Sequence, residues 1–209
     1  MDVTSVITIL QSHSFDSDRN KTLSGLIQIT KIHSSDIKNI ISLYKYDSDR
    51  NNALSMIVNN VSYIHSNDVV KIGTHYIYDS DRNKALHIMT KRISLLYSND
   101  LEGLMGLYKY DSDRVSAIKA VIPYTKSIDR DNFVKILSYF KYDSDRAKAS
   151  SLLIEKLSNA KNPIKISNDN ENDIIDKPMK KINIFIFMDS IKSLSDDDKL
   201  KIIQKLYHH

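Results

Sequence analysis

Apolar residues return along this chain in short stripes at helical spacing, separated by polar stretches of fixed order. Ile37, Ile40, Ile41 and Tyr44 form one stripe. Leu101, Leu104, Met105 and Tyr108 form another, and Phe133, Ile136, Leu137 and Phe140 a third. Steps of three, four and seven residues place such side chains on one face of an α-helix. A second set of stripes alternates with the first. Each opens with a small residue (Thr22, Ala53, Ala85, Ala117 or Ala149) and continues with Leu23, Leu54, Leu86 or Ile118, Ser150 being the exception. Leu26, Ile57, Met89, Val121 and Leu153 complete these stripes. A small residue on a buried stripe lets a neighbouring helix come close.

The polar element before each of these second stripes is nearly invariant. It reads FDSDRNKTL from Phe15, YDSDRNNAL from Tyr46, YDSDRNKAL from Tyr78, YDSDRVSAI from Tyr110 and YDSDRAKAS from Tyr142. The spacing of the first aspartates is 31, 32, 32 and 32 residues. The structural repeat motif is therefore Asp16, Asp18 and Arg19; Asp47, Asp49 and Arg50; Asp79, Asp81 and Arg82; Asp111, Asp113 and Arg114; Asp143, Asp145 and Arg146.

One unit reads as a helix, a short turn and a second helix ending at an aromatic residue. HSSD at His33, HSND at His65 and YSND at Tyr97 offer Ser or Asn as the N-cap of that second helix, with Asp in its first turn. Two helices of about 12–15 residues are marginal alone, and a constant period of this length marks units that bury their faces on one another. The expected fold is all-α: an α-solenoid of stacked helical hairpins with a period of about 32 residues.

The array is expected over residues 1–157, with Asp2 to Ser14 as an unpaired cap helix carrying Val6, Ile9 and Leu10. Residues 158–178 are rich in Asn and Asp and read as a polar loop or linker. Residues 179–209 read as a C-terminal helical hairpin cap. Ser195 would cap its last helix, with Leu200, Ile203 and Tyr207 in the places of Ile37, Ile40 and Tyr44. His208 and His209 fall where Lys45 and Tyr46 fall. The preceding KKINIFIFMDSIKSL reads as a helix, although its β-branched run leaves a strand open.

Composition narrows the function more than it names it. Four glycines and three prolines in 209 residues suit helices joined by short turns. The chain has no cysteine, which excludes disulfides and thiolate metal sites. The N-terminus lacks a basic region and makes a poor signal peptide, and no apolar run approaches the ~20 residues of a membrane helix. An intracellular, cytoplasmic protein with no membrane partner is expected. The net charge of +4 is small and well mixed. Heavy use of Ile, Asn and Lys points to an A+T-rich genome, such as that of a protist or a large DNA virus.

The motif begins as a calcium loop does, with Asp47, Asp49 and Asn51 at positions one, three and five. A loop of that type also needs glycine at six and glutamate at twelve. Those places hold Asn52 and Val58, and no other copy supplies either residue. No metal site is expected. The reading that remains is structural: the first Asp caps its helix, the second suits the helix dipole, and Arg50 meets Asp79 or Asp81 of the next layer in a ladder. The chain contains no H-E-x-x-H, phosphate-binding glycine loop or G-x-S-x-G. No catalytic residue, no cofactor and no enzyme activity are expected. Gly103 and Gly106 read as close-packing positions. The paired tyrosines at 44 and 46, 76 and 78, and 108 and 110 read as packing between layers.

The Phe/Tyr-Asp-Ser-Asp-Arg-x-x-Ala-Leu element, at this spacing, resembles a domain-of-unknown-function family of short helical units with a Phe-x-x-Asp-Ser-Asp-Lys/Arg signature. The resemblance covers roughly Phe15 to Leu157 and implies no catalytic residues. The expected role is a protein–protein interaction or scaffolding module that docks another protein on its repeat-built surface. The alternative is binding of RNA or single-stranded DNA by helical repeats. Two aspartates beside each arginine, and the small net charge, weigh against a phosphate-tracking face.

Overall fold

The computed structural model describes residues 1–157, 194–197 and 199–200. Within them the protein is all-helical, with ten α-helices and no strands. α1 spans Val3–Gln11 and α2 Asp16–Leu26, with a 3-10 turn at Ile27–Ile29. α3 (Ser34–Ile41), α5 (Ser66–Gly73), α7 (Ser98–Gly106) and α9 (Arg130–Ser138) alternate with α4 (Asp47–Asn60), α6 (Asp79–Met89), α8 (Asp111–Val121) and α10 (Asp143–Ile154). The helices that open on the aspartate motif contact one another in chain order: α2 with α4, α4 with α6, α6 with α8, and α8 with α10. The shorter ones follow the same order: α1 with α3, α3 with α5, α5 with α7, and α7 with α9.

One apolar core runs through these contacts. Ala53, Ala85, Ala117 and Ala149 are fully buried, as are Leu23, Leu54 and Ile118 and the stripes at Ile37, Ile40 and Leu104. Packing, rather than propensity, holds helices of eight or nine residues such as α3 and α7. They are shorter than the pattern suggested. Each stops two or three residues before its aromatic, because the chain must turn there to start the next helix.

One glycine expectation changes and one tight position is new. Gly106 is exposed rather than on the buried stripe, and the ring of Tyr139 lies across it. Gly73 is the tight position: a Cβ there would come within 3.0 Å of Leu107 Cδ1.

The connections carry structure that periodicity did not reveal. Parallel β-bridges join Ile64 to Ile93, Leu96 to Thr125 and Ile128 to Leu157. Ile64 N–H donates to Arg92 O, Leu96 N–H to Tyr124 O and Ile128 N–H to Lys156 O. Among the described residues no helix is long and apolar enough to cross a membrane.

At the far end Leu194 is buried, and Asp196, Asp197, Lys199 and Leu200 are helical. The polar linker at 158–178, the helix or strand reading of residues 180–193, and the expectations for Ile203, Tyr207, His208 and His209 lie outside the described residues.

Candidate functional site

The contacts pair each short helix with the motif helix that follows it (α1 with α2, α3 with α4, α5 with α6, α7 with α8, α9 with α10), not with the one before it as the sequence suggested. Taken as the unit, each such pair holds its motif residues in the same place. Tyr46 is the N-cap of α4, in extended backbone, and Asp47 is its first helical residue. Phe15, Tyr78, Tyr110 and Tyr142 repeat this at α2, α6, α8 and α10, and in none of the five does the N-cap side chain make a capping bond. The first aspartate therefore does not cap its own helix, contrary to the sequence expectation.

It works across units instead. One oxygen of Asp47 accepts from the Arg50 guanidinium, and the other accepts the backbone N–H groups of Ile77 and Tyr78 at 2.9 and 3.1 Å. Asp16 takes Lys45 and Tyr46 in the same way at 2.7 and 3.0 Å. Asp79 takes Lys109 and Tyr110, and Asp111 takes Lys141 and Tyr142. A carboxylate with two acceptor oxygens suits this double duty.

The arginine closes the preceding helix of its own unit. Arg82 Nη2 donates to Tyr76 O, Nε donates to Gly73 O at 3.1 Å, and Nη1 reaches Asp79. Helix ends leave carbonyls without intrahelical partners, and the planar guanidinium fork meets one at the end of the helix, the carbonyl of the aromatic just after it, and a carboxylate at once. Arg50 and Arg114 repeat this network. The expected ladder from Arg50 to Asp79 or Asp81 is not formed, because all three faces of the fork are engaged within the unit. Arg50 reaches the next unit through its flat face, which stacks 5.4 Å from the Tyr76 ring centre. Arg82 lies over Tyr108 at 5.2 Å and Arg114 over Phe140 at 5.2 Å.

The serines expected as N-caps behave like the aspartates. His33, His65 and Tyr97 are the N-cap residues, and Ser34, Ser66 and Ser98 open the helices. Ser34 Oγ accepts from His65 N–H, Ser66 Oγ from Tyr97 N–H and Ser98 Oγ from Asp129 N–H. Sequence reasoning also passed over Asn20, Asn51 and Asn83. Each carboxamide donates to the backbone carbonyl of the next unit's second motif aspartate: Asp49, Asp81 or Asp113.

The paired tyrosines divide. Tyr44, Tyr76 and Tyr108 are buried, and burial pushes their hydroxyl pKa values up. The aromatic two residues later is exposed in every unit: Phe15, Tyr46, Tyr78, Tyr110 and Tyr142 are 57 to 69% exposed. Lys45, Lys109 and Lys141 lay their ammonium groups over the rings of Tyr46, Tyr110 and Tyr142 at 5.3, 5.3 and 5.6 Å. In the remaining units the residue before the ring is Ser14 or the exposed Ile77.

The fifth unit differs. The Asp143 side chain is 65% exposed and holds Arg146 alone among the described residues. Buried Ser150 stands where other units bury Leu or Ile, and its hydroxyl has no partner among the described residues. Among those residues no three His, Asp or Glu side chains converge as metal ligands do. The carboxylates of Asp16, Asp47, Asp79 and Asp111 are spent on backbone N–H groups and guanidinium.

A family model described as Domain of unknown function (DUF4476) matches the chain twice, over residues 1–63 and 60–153. No curated protein and no solved structure matches it.

Proposed function

The chain belongs to the DUF4476 family, a domain of unknown function, and on that premise we propose that it is a non-enzymatic interaction module: an α-solenoid of stacked hairpins that docks an extended segment of another protein. The observation that carries this reading is the exposed aromatic of every motif, set one per unit beside a buried one. Burial explains Tyr44, Tyr76 and Tyr108; no packing role among the described residues explains Tyr46, Tyr78 and Tyr110. Exposed aromatics recurring in register are what binding surfaces use.

The same spacing selects the partner's backbone. Packed helices lie about 8–10 Å apart. A polyproline II segment turns once per three residues of ~3.1 Å each, close to one turn per unit. A β-strand repeats its face every ~6.8 Å and falls out of step. The motif's own charges are largely satisfied in buried pairs and cross-unit bonds. Lys45, Lys109 and Lys141 stand over the rings, complementary to carboxylates. The occupant is a proline-containing, acidic segment of a partner protein.

A peptide-display selection tests this with the intact protein beside a Tyr46→Ser/Tyr78→Ser/Tyr110→Ser variant. Acidic, proline-containing peptides should be enriched on the unaltered protein and lost on the variant. A selection that enriches nothing overturns the reading. So does a tight, salt-sensitive gel shift with single-stranded RNA that depends on these tyrosines, which would assign the column to nucleic acid.

A further inference from the structure

Two kinds of buried polar atom recur at the junctions between units. The carboxamide oxygens of Asn20, Asn51 and Asn83 are buried with no hydrogen-bond partner among the described residues, and so are the hydroxyls of Tyr44, Tyr76 and Tyr108. The amide orientation is set by its nitrogen, which donates to a backbone carbonyl: Asn51 Nδ2 to Asp81 O at 3.2 Å, and Asn83 Nδ2 to Asp113 O at 3.2 Å. The oxygen is thereby turned away from that carbonyl.

The two orphans share a neighbourhood. Tyr76 packs its ring on Arg50, the residue beside Asn51, and feels the charge of Asp81, to which Asn51 donates. Tyr108 stands in the same relation to Arg82, Asn83 and Asp113. Tyr44 and Asn20 share Asp49.

The sequence pairs them as well. Asn20 goes with Tyr44, Asn51 with Tyr76 and Asn83 with Tyr108 across the first three junctions. At the fourth, both places turn apolar together, as Val115 and Phe140. Val115 is packed against the core and Phe140 is buried. A tyrosine needed only for its ring has no reason to lose its hydroxyl at the same junction where the asparagine is lost.

An unpaired buried hydroxyl or amide oxygen is costly, and three junctions repeat the same two. We propose that each of the first three junctions encloses a bound water, held between the Asn20, Asn51 or Asn83 carboxamide oxygen and the Tyr44, Tyr76 or Tyr108 hydroxyl, and that the Val115–Phe140 junction is dry. Water is the small ligand that both donates to the amide oxygen and pairs with the hydroxyl. Each junction is then either wet or dry on both sides, and a unit with the wrong partner face leaves one polar atom stranded.

A double-mutant cycle and a crystal structure at high resolution test this. Tyr76→Phe alone should shift the unfolding equilibrium about two- to tenfold toward the unfolded chain. Asn51→Val alone should lower stability, and the double variant should lose less than the two singles together. Conversely, Phe140→Tyr should destabilise and Val115→Asn in the same chain should restore part of the loss. Ordered density should bridge the two atoms at three junctions and be absent at the fourth. A Tyr76→Phe variant more stable than the parent, additive effects in both cycles, or dry density at all four junctions overturns the proposal.

Discussion

Asp47 holds Tyr78 in place by its backbone: the carboxylate of one unit accepts the N–H that opens the motif helix of the next, 31 residues later. The second oxygen is committed to Arg50, so a single side chain fixes both the turn of its own unit and the seat of its neighbour. Asp79 does the same for Lys109 and Tyr110. Asp143 has no such neighbour among the described residues and is largely exposed.

This contrast sets the first expected outcome. Asp79→Ala strands the buried Arg82 charge and two N–H groups, and should cost about 3–5 kcal/mol. Asp143→Ala, at a largely exposed carboxylate that takes no N–H of another unit among the described residues, should cost about 1 kcal/mol. Urea unfolding of the two variants measures the difference. Equal losses would deny the cross-unit role.

Arginine at the motif is not exchangeable for lysine. Arg82 sends three N–H groups to Gly73, Tyr76 and Asp79 and stacks its plane on Tyr108. An ammonium keeps the charge but neither the fork nor the flat face. Arg82→Lys should lose about 2 kcal/mol or more on the scale of buried charged hydrogen bonds, read by chemical denaturation. A loss within error would mean that charge alone suffices.

The hydroxyl of Ser150 sits in a fully buried place that other units fill with Leu or Ile. Ser150→Ala removes a polar atom that is unpaired among the described residues, without adding bulk. It should raise stability by about 1 kcal/mol, visible as a higher Tm.

His75 responds to pH in one direction. Burial first, then the positive charges of Arg50 and Lys38, hold its pKa below the usual 6.5. The unfolded chain takes up the proton more readily, so stability is full above about pH 6.5 and declines as pH falls toward the lowered folded value. His75→Gln should flatten the Tm profile between about pH 7 and 5. An unchanged slope would place the pH response elsewhere.

The sequence disclosed the helices and their alternation because a stripe such as Ile37, Ile40, Ile41 is a local signal. The partners of the motif were less legible. A Ser or Asp just before an apolar stripe looks the same whether it is the N-cap or the first helical residue, yet Asp47 and Ser34 are the latter and reach forward by some thirty residues. A period also says nothing of which oxygen faces which unit, so the arginine ladder was aimed at the wrong group. The pairing of Asn51 with Tyr76, and of Val115 with Phe140, was present in the sequence. It emerges when each unit is compared with its successor rather than column by column.

Each inner unit carries both halves of its joint, a carboxylate for the unit after it and a pair of N–H groups for the unit before it. A gene segment encoding one whole unit, copied in frame beside itself, therefore arrives with its connectors already fitted at both ends. Length in such a protein is open to change by duplication or deletion of whole units, while a cut of any other size disturbs the joint it falls in.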